Sequence, residues 1–136
     1  MAELDVVAWV HARDGRMLAV RSRGRDLLYL PGGKREPGED DWTAVSREVR
    51  EELGVELDRP SFRPLGVLTA AAHDQPAFAR VRMACFASGH TGEFRPAGEI
   101  DELRYVGPAD RALLAPASQA AWDLAAGHGM LRRPAR

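Results

Sequence analysis

Apolar and polar positions change period several times along the chain, and each change marks an element. Residues 4–10 are apolar and rich in β-branched side chains, and residues 17–20 repeat that character after a polar interval. Asp14-Gly15 within the interval is a tight-turn signal, because glycine accepts the positive φ that such turns require. The two apolar runs are therefore predicted as antiparallel strands of a hairpin. Residues 21–26 are polar and read as a loop. The apolar residues 27–30 should form a short strand that delivers Gly32 and Gly33 to a turn.

The period then becomes helical. After Glu36-Pro37-Gly38, Asp40 or Asp41 is a natural N-cap, and Gly54 is a natural residue to follow the last turn. Trp42, Val45, Val49 and Leu53 fall within one sector of roughly 80°, so this face should pack on a sheet. Glu48, Glu51 and Glu52 occupy a separate sector of about 100°, centred some 110° from the apolar one. The carboxylates should thus stand on the shoulder of the buried face. Arg47 is placed to pair with Glu51 four residues on, and reaches Glu48 only by curling round the helix.

Apolar runs at residues 55–57 and 62–72 are broken by Pro60 and Pro64, which suit edge or entry positions of strands. Residues 70–78 read as a loop, in which His73, Asp74 and Gln75 are either ligand contacts or a polar tip. Residues 80–87 alternate, with Val81, Met83 and Cys85 on one face and Arg82, Ala84 and Phe86 on the other. A turn and loop around Phe94 follow, then a strand at 103–106 and a short helical turn holding Leu113 and Leu114. A final helix is predicted from Pro116 to about Ala126, with Gly127 as its stop and Trp122 as a core anchor. Residues 131–136 carry three arginines and read as a frayed basic tail.

Composition narrows the function classes. With 136 residues, 45% hydrophobic and 29% charged, the chain suffices for one domain, expected over residues 1–130. A formal net charge of −1 gives no global pull toward a nucleic-acid polymer or an anionic membrane. Cys85 is the single cysteine, which excludes an intramolecular disulfide and a multi-cysteine zinc site, and its apolar run makes it a core residue. No apolar run approaches the roughly 20 residues of a membrane span, and the N-terminus lacks the pattern of a signal peptide. The chain reads as cytoplasmic.

The chemistry concentrates in residues 33–55. Glutamates clustered on one helix face repel one another, so a cation is expected beside them. Mg²⁺ held by a few carboxylates and its own waters can shield a diphosphate, orient a water and stabilise a leaving phosphate. Glycines let backbone carbonyls approach a cation, or amides approach a phosphate, with no Cβ in the way. Arg21, Arg23 and Arg25 either meet phosphates or form a solvated loop, and Tyr29 either stacks on a base or fills a core face.

This stretch resembles the Nudix box, GX5EX7REUXEEXGU with U aliphatic, and fits it at Gly33, Glu39, Arg47, Glu48, Val49, Glu51, Glu52, Gly54 and Val55. Chance agreement at seven such fixed positions is on the order of once in 10⁸ windows. The resemblance implies an α/β fold, an α/β/α sandwich around a central mixed β-sheet. It further implies Glu48 and Glu52 as main metal ligands, Glu51 as a contributor, and a carbonyl from Gly32 or Gly33. Arg47 would orient the glutamates, and Glu39 would support the loop or hold an outer metal through water. Glu99, before a late strand, is the candidate general base, with Glu102 second and Glu48 as the alternative. The metal would be Mg²⁺, with Mn²⁺ able to replace it.

Substrate contacts are expected from Arg21, Arg23, Lys34 and Tyr29. Residues 31–34, Pro-Gly-Gly-Lys, are similar to the corresponding run of MutT-like hydrolases, which release a nucleoside monophosphate and pyrophosphate from a (deoxy)nucleoside triphosphate. Leu30 stands where those proteins commonly have an aromatic residue. The markers of ADP-ribose and dinucleoside polyphosphate hydrolases are absent from Ala70-Ala71-Ala72. ADP-ribose or nucleotide-sugar hydrolysis is the second reading, and a nucleotide-sensing module without turnover is a third. The expected partner is a small nucleotide, and the protein is either a monomer or a homodimer.

Overall fold

The computed structural model describes residues 2–73 and 75–132. Two small sheets and a two-stranded ribbon lie between two helices. The largest sheet has the order β4 (Gly32–Lys34), β1 (Ala2–Trp9), β7 (Phe78–Ala87), β6 (Arg63–Ala71), in which β1 and β7 are parallel and the other pairs antiparallel. The second joins β2 (Ala12–Arg13), β3 (Arg16–Ser22) and β9 (Ile100–Val106), and the ribbon joins β5 (Glu56–Leu57) to β8 (His90–Thr91). The helices are α1 (Asp41–Leu53) and α2 (Pro116–Gly127).

Side chains alternate across the strands and so build two cores. Val6, Ala8, Met17, Ala19, Val81, Met83 and Cys85 pack in one layer with Trp122 of α2. Val7, Trp9, Leu18, Val20, Ala84 and Phe86 pack in the other with Val45, Val49 and Leu53 of α1. Strands buried on both faces need such continuous apolar runs. The outcome is the expected α/β/α sandwich with a mixed sheet. Among the described residues, no helix is long and apolar enough to cross a membrane.

α1 follows its sequence signals closely. Asp40 is the N-cap, its side chain accepting from Thr43 N at 2.8 Å. Gly54 ends the helix, donating its N–H to Arg50 O at 3.0 Å. Val45, Val49 and Leu53 are fully buried, each worth about 2 kcal/mol by the apolar area removed from water. Asp40→Ala should lower stability by about 1 kcal/mol, read as an earlier urea midpoint. An unchanged midpoint would show that water serves the Thr43 N–H equally well.

Four expectations change. The hairpin at Asp14-Gly15 is real, with φ of 54° and 74°, but its first strand is the two-residue β2 rather than the long apolar run. That run, β1, is drawn instead into the large sheet, where β4 and β7 pair its two edges and its two apolar faces enter the two cores. Residues 27–30 make only isolated bridges, Val20 to Tyr29 and Leu28 to Leu114, because Leu28 and Leu30 are taken up by the core under α2. Gly32 and Gly33 lie in a strand, not a turn. The tail does not fray at its start: Leu131 is buried and Arg132 N donates to Gly15 O at 2.9 Å, while residues 133–136 lie outside the described residues.

Pro64 lies in β6, an edge strand, as its missing N–H requires. The loop after β6 shortens to residues 72–77, and Asp74 within it lies outside the described residues.

Candidate active site

β4 is squeezed between β1 and α1, and its glycines answer to different neighbours. Gly32 has φ of 151°, and a Cβ there would come within 2.1 Å of the Val7 carbonyl oxygen. Gly33 faces the helix instead: a Cβ would lie 2.7 Å from the Glu48 carboxyl carbon. Both substitutions meet something, but only the first meets backbone.

Glu52 joins the helix to this strand, its Oε1 accepting from Gly32 N at 2.9 Å. Burial pushes the Glu52 carboxyl up to about 8, with Glu48 and Glu51 adding like charge against the lowering effect of the Gly32 N–H. Glu48 is also raised, chiefly by burial, despite the neighbouring Arg47 guanidinium. Glu51 stands at the solvent edge, with a side chain 58% exposed.

Arg47 ties the acidic side chains together. Its Nε and Nη2 donate to the two oxygens of Glu39 at 2.7 and 2.8 Å, and its Nη1 donates to Glu48 at 3.0 Å and Glu51 at 3.2 Å. Nη2 also donates to the Lys34 carbonyl at 3.1 Å, which anchors the end of β4. The Arg47 guanidinium, with the Glu36 N–H, holds the Glu39 carboxyl far below its usual range. A bidentate pair of this kind is geometrically demanding, which lysine could not reproduce. Helical spacing points to Glu51 as the partner of Arg47; the strongest one is Glu39, eight residues away across the loop.

Among the described residues, no three His, Cys, Asp or Glu side chains converge into a ready-made cation cage. The available donors are the hard oxygens of Glu48 and Glu52, one helical turn apart on the side of α1 that meets β4, with Glu51 at the rim. Two carboxylates suit an ion that keeps several of its waters. Glu52 is a buried acid with no cationic side chain among the causes that set its proton affinity, and Gly33, without a Cβ, lets the Glu48 carboxylate lie against the strand. The donor set therefore fits a hard divalent cation.

A cavity of about 230 Å³ adjoins these groups, lined by Gly32, Gly33, Lys34 and Glu52 and also by Tyr29 and His73. The Tyr29 hydroxyl is hydrogen-bonded to His73 Nδ1, and the Arg25 guanidinium lies 5.8 Å from the Tyr29 ring centroid. Polar groups at the rim of an apolar pocket fit a ligand with a flat ring and a charged end.

Of the predicted substrate residues, Tyr29 and Lys34 line this cavity, and so does Gln75. Arg21 instead donates to Glu102 at 2.9 Å and pairs with Asp101 at 3.7 Å, while Arg23 reaches the Gly98 carbonyl at 3.4 Å. Glu99 is exposed, its carbonyl accepting from Arg23 N at 2.7 Å; Glu102 is held by Arg21 and Arg104. Val6 and Met83 also line the cavity, together with Pro116 at the start of α2. Their sequence signal is that of core residues, since nothing local distinguishes an apolar side chain facing a pocket from one facing another side chain.

Comparison with known proteins agrees with this architecture. A family model described as the NUDIX domain matches residues 1–127. Over 60 residues the chain is 45% identical to the CTP pyrophosphohydrolase of Escherichia coli (strain K12), covering 41% of this chain and 44% of that protein. Over 55 residues it is 40% identical to a MutT-like protein of Streptomyces ambofaciens, covering 40% and 36%. The chain thus spans less than half the length of the curated relatives it matches. The solution structure of the E. coli ORF135 protein superposes with a TM-score of 0.75 at 26% identity, covering 100% of this chain and 96% of that one. The NUDIX domain of Shewanella oneidensis NrtR, solved with ADP ribose, superposes with a TM-score of 0.70 at 18% identity, covering 94% and 89%.

Proposed function

The chain belongs to the Nudix family, and on that premise we propose that it hydrolyses a (deoxy)nucleoside triphosphate to the monophosphate and pyrophosphate. The observation that carries this reading is that Gly33 and Glu52 line the cavity shared by Tyr29 and His73, with Glu48 against Gly33 beside it. Likeness to a CTP pyrophosphohydrolase and a MutT-like protein supports the same substrate class. The cavity, about 230 Å³, suits one base and its sugar better than two nucleosides joined through phosphates.

Glu48 and Glu52, with Glu51 and a carbonyl of Gly32 or Gly33, would hold Mg²⁺ or Mn²⁺. When bound there, such an ion supplies neutralisation of the phosphate charge and acidification of the attacking water. The remaining work falls to the chain itself. Arg47 positions Glu48 and fixes the loop through Glu39, so the carboxylates keep their spacing as substrate enters. The general base would be Glu99, exposed just before β9, or else Glu48, which lies against Gly33 at the glycine strand. Lys34 faces the phosphates, and Tyr29 stacks on the base.

Release of phosphate and pyrophosphate from a panel of nucleoside triphosphates, ADP-ribose and a nucleotide sugar, with Mg²⁺, with Mn²⁺ and with EDTA, tests the proposal. Triphosphates should exceed the others in kcat/KM by about tenfold or more, and only with a divalent ion. Preference for ADP-ribose would replace the substrate. Nucleotide binding without turnover on any compound would replace the enzyme with a sensing module.

A further inference from the structure

A second cavity, of about 540 Å³, lies at the hairpin end of the molecule and is lined by Arg13, Asp14, Arg16, Tyr105 and Arg132. Three guanidinium groups thus share one opening with a single carboxylate. None of the three has an ion-pair partner among the described residues. The β2–β3 register places Arg13 directly opposite Arg16, and like charges so paired are destabilising. Asp14 and Gly15 close the hairpin with positive φ at both residues, which holds the two arginines on one face.

The third guanidinium is brought from the other end of the chain. Arg132 N donates to Gly15 O at 2.9 Å, and its side chain runs so close over the turn that a Cβ on Gly15 would lie 2.4 Å from Arg132 Cγ. Arg16 in turn lies along Gly107, where a Cβ would be 3.6 Å from its Cγ and Nε. Tyr105 stands on the same face of the sheet, its hydroxyl 3.2 Å from His11 Nε2. In the tautomer whose Nε2–H donates to it, that hydroxyl keeps its own O–H for an anion in the cavity.

We propose that this cavity is a binding site for a phosphate chain, gripped by Arg13, Arg16 and Arg132 and by the Tyr105 hydroxyl. Planar guanidinium forks match phosphate oxygens in pairs, and a multivalent anion relieves the repulsion between Arg13 and Arg16. The opening is larger than one phosphate group needs, which favours an oligophosphate, either inorganic or borne by a nucleotide. The site is separate from the glycine–glutamate site. Ser22 at the far end of β3 lines the first cavity, and six residues of strand at about 3.3 Å each put roughly 20 Å between it and Arg16.

The test is a ¹⁵N amide NMR titration of the full chain with sodium tripolyphosphate in EDTA, against sodium chloride at equal ionic strength. Saturable shifts are expected at Arg13 to Arg16 and at Gly107, and the Arg13→Ala/Arg16→Ala double variant should raise the midpoint by about tenfold or more. Arg132→Gln should weaken binding as well, with the fold undisturbed at this exposed position. Hairpin shifts that sodium chloride reproduces, or that keep their midpoint in the double variant, would overturn the proposal. So would tighter binding of a single-stranded oligonucleotide at equal phosphate concentration, which would make this a nucleic-acid surface. A parallel titration with a non-hydrolysable nucleoside triphosphate separates the two phosphate sources, since equal midpoints assign recognition to the chain alone. No turnover is measured, so failure here and failure of the hydrolase reading are distinguishable.

Discussion

Glu52→Gln should abolish turnover and, at the same time, stabilise the metal-free protein at pH 8. The two effects have one cause. The Glu52 carboxyl is raised to about 8 in the folded protein, against an ordinary value of 4.5, because it is buried beside other acids. The folded state therefore holds its proton over a range in which the unfolded chain has lost it. Stability from this group is complete below pH 4.5 and is lost as pH rises toward 8. Glutamine does not titrate, and its Oε1 still accepts from Gly32 N, so the variant should lack this fall with pH and show a gain on the order of 2 kcal/mol at pH 8. In the proposed role, the same change removes a charged donor for the divalent ion, and kcat should fall by about 10³-fold or more.

Thermal unfolding in EDTA from pH 5 to pH 8, with and without added Mg²⁺, separates these effects. Relative to the variant, wild type should lose stability with rising pH in EDTA and recover it with Mg²⁺, since an ion bound only by the folded state stabilises it. Half-buried His11, lowered to about 4 chiefly by burial, adds stability to both as pH rises toward 6.5 and cancels in the difference. The variant should respond little to Mg²⁺. A difference between wild type and variant that does not change with pH in EDTA would remove the raised carboxyl from the account, and full activity in the variant would remove Glu52 from the site.

Gly32→Ala should destabilise the protein by about 3 kcal/mol, a fall of roughly 10 °C in Tm for a domain of this size. At φ of 151° an L side chain is strained, and the Cβ would meet the Val7 carbonyl oxygen at 2.1 Å and the Ala8 Cα at 2.8 Å. Both atoms belong to β1, which is fixed on both sides by β4 and β7, so neither can yield cheaply. Gly33→Ala provides the contrast. Its Cβ would meet first the Glu48 carboxylate, a side-chain end that can move with loss of its Arg47 hydrogen bond, so its cost should appear in kcat more than in Tm. Equal thermal losses in the two variants would show that β4 as a whole, and not its contact with β1, is the sensitive element.

Much of α1 is legible in the sequence because its signals are local. Asp40 caps a turn three residues on, Gly54 closes one four residues back, and the buried stripe of Val45, Val49 and Leu53 repeats with the helix itself. The candidate glutamates share that locality, since Glu48 and Glu52 lie on one face whenever the helix forms. β4 has no such signal. Gly-Gly-Lys has neither apolar alternation nor β propensity, and it is a strand only because β1 offers its edge. The hairpin is legible at its turn but not in its first strand, because β1 is claimed by β7 from about 75 residues away, in a parallel pairing that no nearby residue announces.

The sequence by itself determined the helix, its caps, the acidic face and the family pattern, all of which depend on spacings shorter than a few turns. Tertiary structure alone decided that Arg47 grips Glu39, that Gly32 meets β1 while Gly33 meets Glu48, and that Tyr29 and His73 share one cavity wall. It also brought Arg132 onto the turn at Gly15. Each of these contacts joins segments whose meeting depends on how two apolar cores close around the strands. Periodicity along the chain identifies the face that is buried; only the packed strands determine what it is buried against.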